Sequence, residues 1–488
     1  MANLRRSLVI NFFSSSGASL LQFFCSILLA RMLSPSEIGV FSMTAVFVNV
    51  AHMFRDFGVA SYVQREPDLT VDKMRSAIGV MLATSWSLAL FLFLVSAPLG
   101  VWLREPGVVP VMRVLALGFL IVPFGSITHS MLLRELAADK QAVVTAAGTL
   151  SYCVSCLGLA ALGCGTMSLA WANLINISVC ALVYIPFRPK GMPWLPSFRH
   201  WRSVVNFGVG TLLTNCVQAV SGAIPDMLLG KLGSARLVGL LSRATSTVQI
   251  FSYAAGTTIT YGALSYLSQA HHRGESLAPI LRRATSLLTG IGWPAFALTA
   301  VFGRDLVLAL YGSAWIDCVP AIAPLALAAG VTLLFQYAPV ALTAMGMAYL
   351  GAVPQLVTCI GRLVFGYVLF DGSLVSFAWA VSLATLVGGP VLVYQQTRHL
   401  GFGLGAMFGS VAASALVTLV CTGAGMVLHL LLPESLPPLL RLLVALPPLV
   451  AVWYASLRAT RHELLEEVHR LAGAARMRVL RLVRPAGA

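Results

Sequence analysis

From Ser76 to Leu103 the chain carries no charged residue, and comparable apolar runs recur from one end to the other. A helix rises about 1.5 Å per residue, so such a run crosses the roughly 30 Å hydrocarbon core of a bilayer with its backbone hydrogen bonds satisfied internally. The runs are continuous rather than alternating, which excludes a barrel of the outer-membrane type. Only 10% of the 488 residues are charged and 58% are hydrophobic, where a soluble domain carries roughly 25% charged residues. At about 20 residues per crossing, that apolar supply makes roughly 14 helices. The expected fold is an all-α polytopic membrane protein.

The spans are expected near 8–30, 38–60, 76–102, 110–133, 141–163, 168–187, 204–229, 238–267, 285–309, 320–345, 349–370, 373–395, 403–432 and 439–457. Net charge +15 would suggest nucleic acid for a soluble protein, but here the cations sort by loop. With the N-terminus inside, 22 of the 32 Lys and Arg fall on the inner side. Only Arg31, Arg104, Lys231, Arg236, Arg304 and Arg441 fall outside, and the other four lie in or at the ends of spans. That is the cytoplasmic bias of Lys and Arg, so both termini are expected in the cytoplasm and no nucleic-acid partner is expected.

The chain also repeats itself. Arg31, Gly39 and Ser42 recur as Lys231, Gly239 and Ser242, and Pro110 with Leu115-Ala116-Leu117 recurs as Pro320 with Leu325-Ala326-Leu327. Two echoes in the same order point to duplicated halves. Arg188–Ser203 carries three prolines among cations and aromatics, which suits a cytoplasmic linker in the headgroup layer. The organisation expected is a six-helix lobe over 1–187, a linker over 188–203, a second six-helix lobe over 204–396, two further transmembrane helices over 397–457 and a basic tail over 458–488. Six helices per lobe make this a parallel repeat. The tail spaces Leu464, Val468, Leu471 and Ala475 as one helical face, expected to lie along the inner leaflet against anionic lipid.

Polar residues inside lipid-spanning helices are costly and turn towards the bundle interior or a wet cavity. Asn11, Ser15, Ser19, Gln22 and Ser26 form one face of the first span, and Ser42, Asn49, His52 and Asp56 one face of the second. Their repeat mates do likewise: Asn206, Thr214, Gln218 and Ser221 on the seventh, and Ser242, Ser246, Gln249, Tyr253 and Thr260 on the eighth. Four such faces on matched helices can line one central cavity; the competing explanation is helix–helix glue. Arg243 flanks the eighth face, and Asp226 stands near enough in the sequence plan to pair with it. Arg362, at mid-span, needs a partner carbonyl, a carboxylate or an anionic ligand to offset roughly 2.5–3.5 kcal/mol. No Walker A, HExxH or metal-spaced Cys/His set is present, so no catalytic residue, metal or cofactor is expected. Cys153-x-x-Cys156 lies within an apolar run and reads as packing.

The segments LLARMLSPSEIGVFSMTAVF (28–47), RDFGVASYVQR (55–65), NFGVG (206–210), DMLLGKLGSARLVGLLSRA (226–244) and YGSAW (311–315) resemble bacterial polysaccharide-repeat-unit flippases. They are similar to the colanic-acid and exopolysaccharide branch of the multidrug/oligosaccharidyl-lipid/polysaccharide superfamily. The resemblance implies a V-shaped pair of lobes with a central cavity bordered by helices 1, 2, 7 and 8, working by alternating access in the bacterial inner membrane. It implies an undecaprenyl-diphosphate-linked glycan as substrate and a coupling H+ or Na+. It also implies a polysaccharide polymerase and chain-length machinery as partners, with no enzymatic step. Asp226, an ion-coupling candidate, and Arg243 fall where such members carry DxxLxG and YSRA segments, with Leu241 in place of the usual Tyr. A drug antiporter of the same superfamily, or a membrane polymerase or ligase, are the alternatives.

Overall fold

The computed structural model describes residues 2–56, 59–66, 68–135, 137–189, 191–193, 195–199, 201–250 and 258–470. Side chains at 2–9, 11, 12, 56, 61, 64, 65, 203, 206–218, 258–262, 264, 265 and 348 lie outside that set. No strand occurs among the described residues. Eleven helices, or twelve if one bent pair counts as a single span, are long and apolar enough to cross a membrane. They fall on twelve of the fourteen expected spans. The other two expectations, 204–229 and 238–267, run over undescribed side chains or residues.

The first half consists of α1 (Ala2–Met32), α2 (Pro35–Asp56), the short α3 (Val59–Arg65), α4 (Val71–Leu103), α5 (Val108–Ile121), α6 (Pro123–Arg134), α7 (Ala138–Ala161) and α8 (Met167–Tyr184). The fourth expected span is α5 and α6, bent by 55°. Pro123 stands at the bend, where its missing N–H ends one helix and its fixed φ starts the next. Between α1 and α2 the chain turns on a capping box. The Ser34 backbone N–H donates to Glu37 Oε2 (2.8 Å), and the Glu37 N–H returns to Ser34 Oγ (3.3 Å). Ser234 caps the equivalent turn, accepting from the Leu237 N–H.

The second half runs through α9 (Trp201–Leu232), α10 (Ala235–Val248), α11 (Thr258–His272), α12 (Leu277–Val301), α13 (Gly303–Leu310), a 3₁₀ segment Ser313–Ala321, α14 (Ile322–Leu334), α15 (Ala338–Ala344), α16 (Ala352–Val368) and α17 (Leu374–Leu400). Then come α18 (Leu404–Leu431) and α19 (Pro438–Ala459). The ninth span starts at Leu277, not 285. A helix continues into the aqueous layer past its apolar stretch until a break stops it, so Arg282 and Arg283 are helical. The expected outside loop at about 310–319 and its approach from Gly303 are folded as α13 and the 3₁₀ segment, with Trp315 fully buried.

Duplication shows in the packing. α1 packs on α7 as α9 packs on α16, α7 on α8 as α16 on α17, α4 on α5 as α12 on α14, and α5 on α8 as α14 on α17. α18 and α19 stand outside this pattern; α18 packs on α12, and α19 on α18 and α13. Contacts between the halves run through α2 with α9 and α10, and α4 with α9.

The tail departs from the expectation of a surface-lying helix. Its 464–470 helix packs Leu464, Leu465 and Val468 on Val417, Cys421 and Leu457 rather than leaving them for lipid, and Arg283 pairs with Glu467 at 3.1 Å. Leu464 and Val468 do share a face, but spacing cannot say whether protein or lipid covers it. Leu471 and Ala475 lie outside the described residues.

Candidate functional site

A polar cavity of about 510 Å³ opens between α1, α2, α7, α8 and α10. Ser19, Gln22 and Ser26 face it from α1, spaced three and four residues apart so that one helical face carries all three. Ser42 and Asn49, two turns apart, face it from α2, and Ser242, Arg243 and Ser246 from α10. Among the described residues, no Asp or Glu lines it.

Three further polar residues line the cavity that the sequence reading did not single out: Tyr152 on α7 and Asn173 and Asn176 on α8. The signal available was two asparagines at i and i+3 in an apolar span. It has no echo in the second half, so repeat matching passes over it.

Arg243 sits with its guanidinium 5.6 Å from the Tyr311 ring and 5.9 Å from the Trp315 ring, and Nη1 donates to Ser26 O at 3.4 Å. Stacking a cation on aromatic faces offsets part of its desolvation while leaving its charge at the cavity wall. The pairing of Arg243 with Asp226 is not made: no ion pair within 4 Å joins these two described residues. Asp226 stands half-buried on α9.

Other candidates lie elsewhere. Arg362 does not line this cavity; its Nη1 donates to Ser221 O, tying α16 to α9. A backbone acceptor supplies the offset that its position requires, and such an acceptor leaves no trace in a sequence. His52 stacks on Phe119 with centroids 4.4 Å apart, its Nδ1 2.9 Å from Arg55 Nη1, in packing beside the cavity rather than on its wall. Ser15 and Gln249 are also off the wall. Asn11, Asn206, Gln218 and Tyr253 lie outside the described side chains or residues. A larger recess of about 640 Å³ lies among α11, α12 and α15, but its cation, Arg283, is already taken by Glu467. Among the described residues no group of His, Cys, Asp and Glu is arranged to hold a metal.

Known proteins match this chain on both sequence and fold. Residues 28–320 match the family described as "Polysaccharide biosynthesis protein". The succinoglycan biosynthesis transport protein ExoT of Rhizobium meliloti is 24% identical over 78% of this chain and 78% of its own. The teichuronic acid biosynthesis protein TuaB of Bacillus subtilis is 21% identical over 80% and 82%, and the lipopolysaccharide biosynthesis protein WzxC of Escherichia coli 19% over 60% of each. Among solved structures, the lipid II flippase MurJ in an inward closed conformation superposes with a TM-score of 0.76 at 12% identity, covering 92% of this chain and 99% of that one. An inward-facing multidrug transporter of the MOP superfamily gives 0.65 at 14% identity, covering 78% and 94%. These structures carry the fold; the family match, over more than half of the chain, carries the membership, and this multi-pass membrane protein belongs to the polysaccharide biosynthesis protein family.

Proposed function

We propose that the protein flips undecaprenyl-diphosphate-linked oligosaccharide repeat units from the cytoplasmic to the periplasmic leaflet of the inner membrane by alternating access, for exopolysaccharide, capsule or O-antigen assembly. The observation that carries this reading is the cavity itself. It sits inside a bundle of membrane-length helices, and among the described residues it is lined by carboxamides, hydroxyls and one guanidinium without a carboxylate. Moving a hydroxyl into hydrocarbon without a partner costs about 4–8 kcal/mol, so even four sugar hydroxyls set a barrier of tens of kcal/mol. A wet polar cavity removes that barrier while the polyprenyl chain stays in lipid. Arg243 supplies paired, charge-assisted donors for a diphosphate.

Loop charges orient the termini inwards, which puts the α1–α2 and α9–α10 turns at the periplasmic end. The halves meet there through α2 and α10, so the state described is closed to the periplasm. Rocking the halves so that this contact parts would expose the cavity to the periplasm. Asp226 is the proposed site for a coupling H+ or Na+, and a polymerase with its chain-length machinery the proposed receiver of the product. A drug antiporter is disfavoured because an organic cation would meet Arg243 and, among the described residues, no acid on this wall.

Proteoliposomes carrying the purified protein and a labelled undecaprenyl-diphosphate oligosaccharide test the reading. Wild-type protein should expose the glycan to an external glycosidase, and Arg243→Lys and Arg243→Ala should not, at equal reconstitution. New glycosidic bonds without translocation would replace a flippase by a polymerase, and flipping unaffected by either variant would remove Arg243 from the substrate path.

A further inference from the structure

Among the described residues, three carboxamides besides Asn176 line the cavity, all from the first lobe: Gln22 on α1, Asn49 on α2 and Asn173 on α8. None of them makes a hydrogen bond within the protein among the described residues, whereas Asn176, one turn from Asn173, donates its Nδ2 to Gly148 O at 2.6 Å and fastens α8 to α7. That contrast separates glue from a wall held ready. Carboxamides serving only to join helices would be expected to bond across the joint as Asn176 does, whereas Gln22 and Asn49 stand exposed and Asn173 half-buried. Among the described side chains, the second lobe presents different chemistry. Ser246 returns its hydroxyl to Ser242 O at 2.8 Å, which leaves Arg243 as the main polar group offered from α10.

We infer that the cavity divides its ligand between the lobes: the carboxamides of Gln22, Asn49 and Asn173 read the glycan, and Arg243 holds the diphosphate. This rests on the flippase reading above. A sugar hydroxyl both donates and accepts, and a carboxamide offers a donor and an acceptor side by side, so each can satisfy a pair of neighbouring hydroxyls or an acetamido group. A diphosphate only accepts, which an Arg fork matches and a carboxamide does not. The amides are neutral, so they rank glycans by hydroxyl and acetamido arrangement rather than by charge. The glycan therefore travels with α1, α2 and α8 when the halves rock, and its selectivity is written in the first lobe.

The test measures binding of two probes to the purified full-length protein in detergent. One is undecaprenyl-diphosphate-linked oligosaccharide extracted from a strain lacking this protein, and the other is bare undecaprenyl diphosphate. Gln22→Met, Asn49→Leu and Asn173→Leu keep side-chain volume and remove the amide. Each should weaken glycolipid binding about tenfold, the loss of one good hydrogen bond, and change bare-probe binding less than twofold. Arg243→Gln should weaken both probes together, and Asn176→Ala should leave the ratio of the two affinities unchanged. Bare-probe binding also reports folding, and any variant that loses it is replaced by alanine at the same position. Carboxamide variants that keep the wild-type ratio, or that lose both probes equally while folded, overturn the inference and leave the flippase reading standing. Wild-type protein that binds neither probe overturns the flippase reading instead.

Discussion

Gly39 on α2 and Gly239 on α10, repeat mates in the sequence, meet where the two halves touch, each too close to the other's helix to carry a side chain. A Cβ on Gly39 would lie 1.7 Å from Ala235 O, and one on Gly239 would lie 1.9 Å from Pro35 O. Both obstacles are backbone, which cannot swing aside as a side chain does. Glycine here is required by close approach of two helices.

Replacing either glycine should therefore prevent this closed state. Gly39→Leu and Gly239→Leu are expected to insert normally and to lose transport. Spin labels at the exposed Ser36 and Ser313 should show the distance across this end lengthened in both variants. An unchanged distance distribution with a leucine at either position would refute the close contact.

Around the glycine pair, each half holds the other by a cation. Arg31 Nε, at the end of α1, donates to Leu310 O at 3.0 Å, and its Nη2 to Ala309 O, at the C-terminus of α13. Lys231 Nζ, at the end of α9, donates to Trp102 O at 2.7 Å, in the last turn of α4. Carbonyls at a helix C-terminus lack intrahelical donors and carry the negative end of the helix dipole, so both cations cap the opposite half. Arg31→Ala or Lys231→Ala should cost the closed state about 1 kcal/mol each, and the double variant about 2, a roughly 5-fold and 30-fold shift of population. The same pair of spin labels reads the shift. A double variant no more open than either single would show that the two contacts form and break as one rather than adding independently.

The residues of this clasp were legible in the sequence and its partners were not. Arg31, Gly39 and Ser42 announce themselves because Lys231, Gly239 and Ser242 repeat them. Leu310 and Trp102 accept through backbone oxygens, which any residue would offer. The apolar runs likewise gave the spans, since lipid imposes one rule on every spanning helix. They could not give the bend at Pro123 as a break, nor the folding of 303–321. The cavity was half legible: Gln22, Asn49, Ser242 and Arg243 stand on the repeated polar faces, whereas Asn173 has no mate. Arg362 looked like a cavity residue because a mid-span cation needs an offset, and Ser221 O, invisible as such in a sequence, provides it.

Asp305 on α13 and Arg441 on α19 form an ion pair at 2.9 Å with side chains only 2% and 7% exposed, and Arg441 also reaches His429 O at 3.2 Å. It is the ionic tie between the added helices and the second lobe, beside the hydrogen bonds from Thr289 Oγ1 to Ser414 Oγ and from Trp453 Nε1 to Gly290 O. Removing one partner strands a buried charge, at a cost of about 3–5 kcal/mol. Asp305→Ala and Arg441→Ala should each lower the Tm of the detergent-solubilised protein, while the apolar exchange Asp305→Leu with Arg441→Met should recover most of the loss. A double variant as unstable as the sum of the singles would show that the pair is not a unit.

His462 joins the tail to the bundle and should make that joint sensitive to acid. Its Nδ1 accepts from the Leu464 N–H at 3.1 Å, so the ring proton sits on Nε2, facing Ser414 Oγ at 2.9 Å. Burial holds the imidazole's pKa below its ordinary 6.5, with the nearby Glu463 partly opposing the shift. An imidazolium would turn a second donor against the Leu464 N–H, which is the local reason the neutral ring fits. Because the docked pKa is the lower one, the undocked tail binds more protons below 6.5. The contribution of His462 is therefore present above that value and is lost as pH falls towards the depressed one. Hydrogen exchange of the 464–470 backbone, corrected for the intrinsic pH dependence of exchange, should show protection falling between pH 7 and pH 5. His462→Gln can bond on both sides of its amide but cannot titrate, so its protection should be flat across the same range. Protection that rises on acidification in the wild-type protein would mean that the charged ring is the docked form, and would reverse the assignment of both hydrogen bonds.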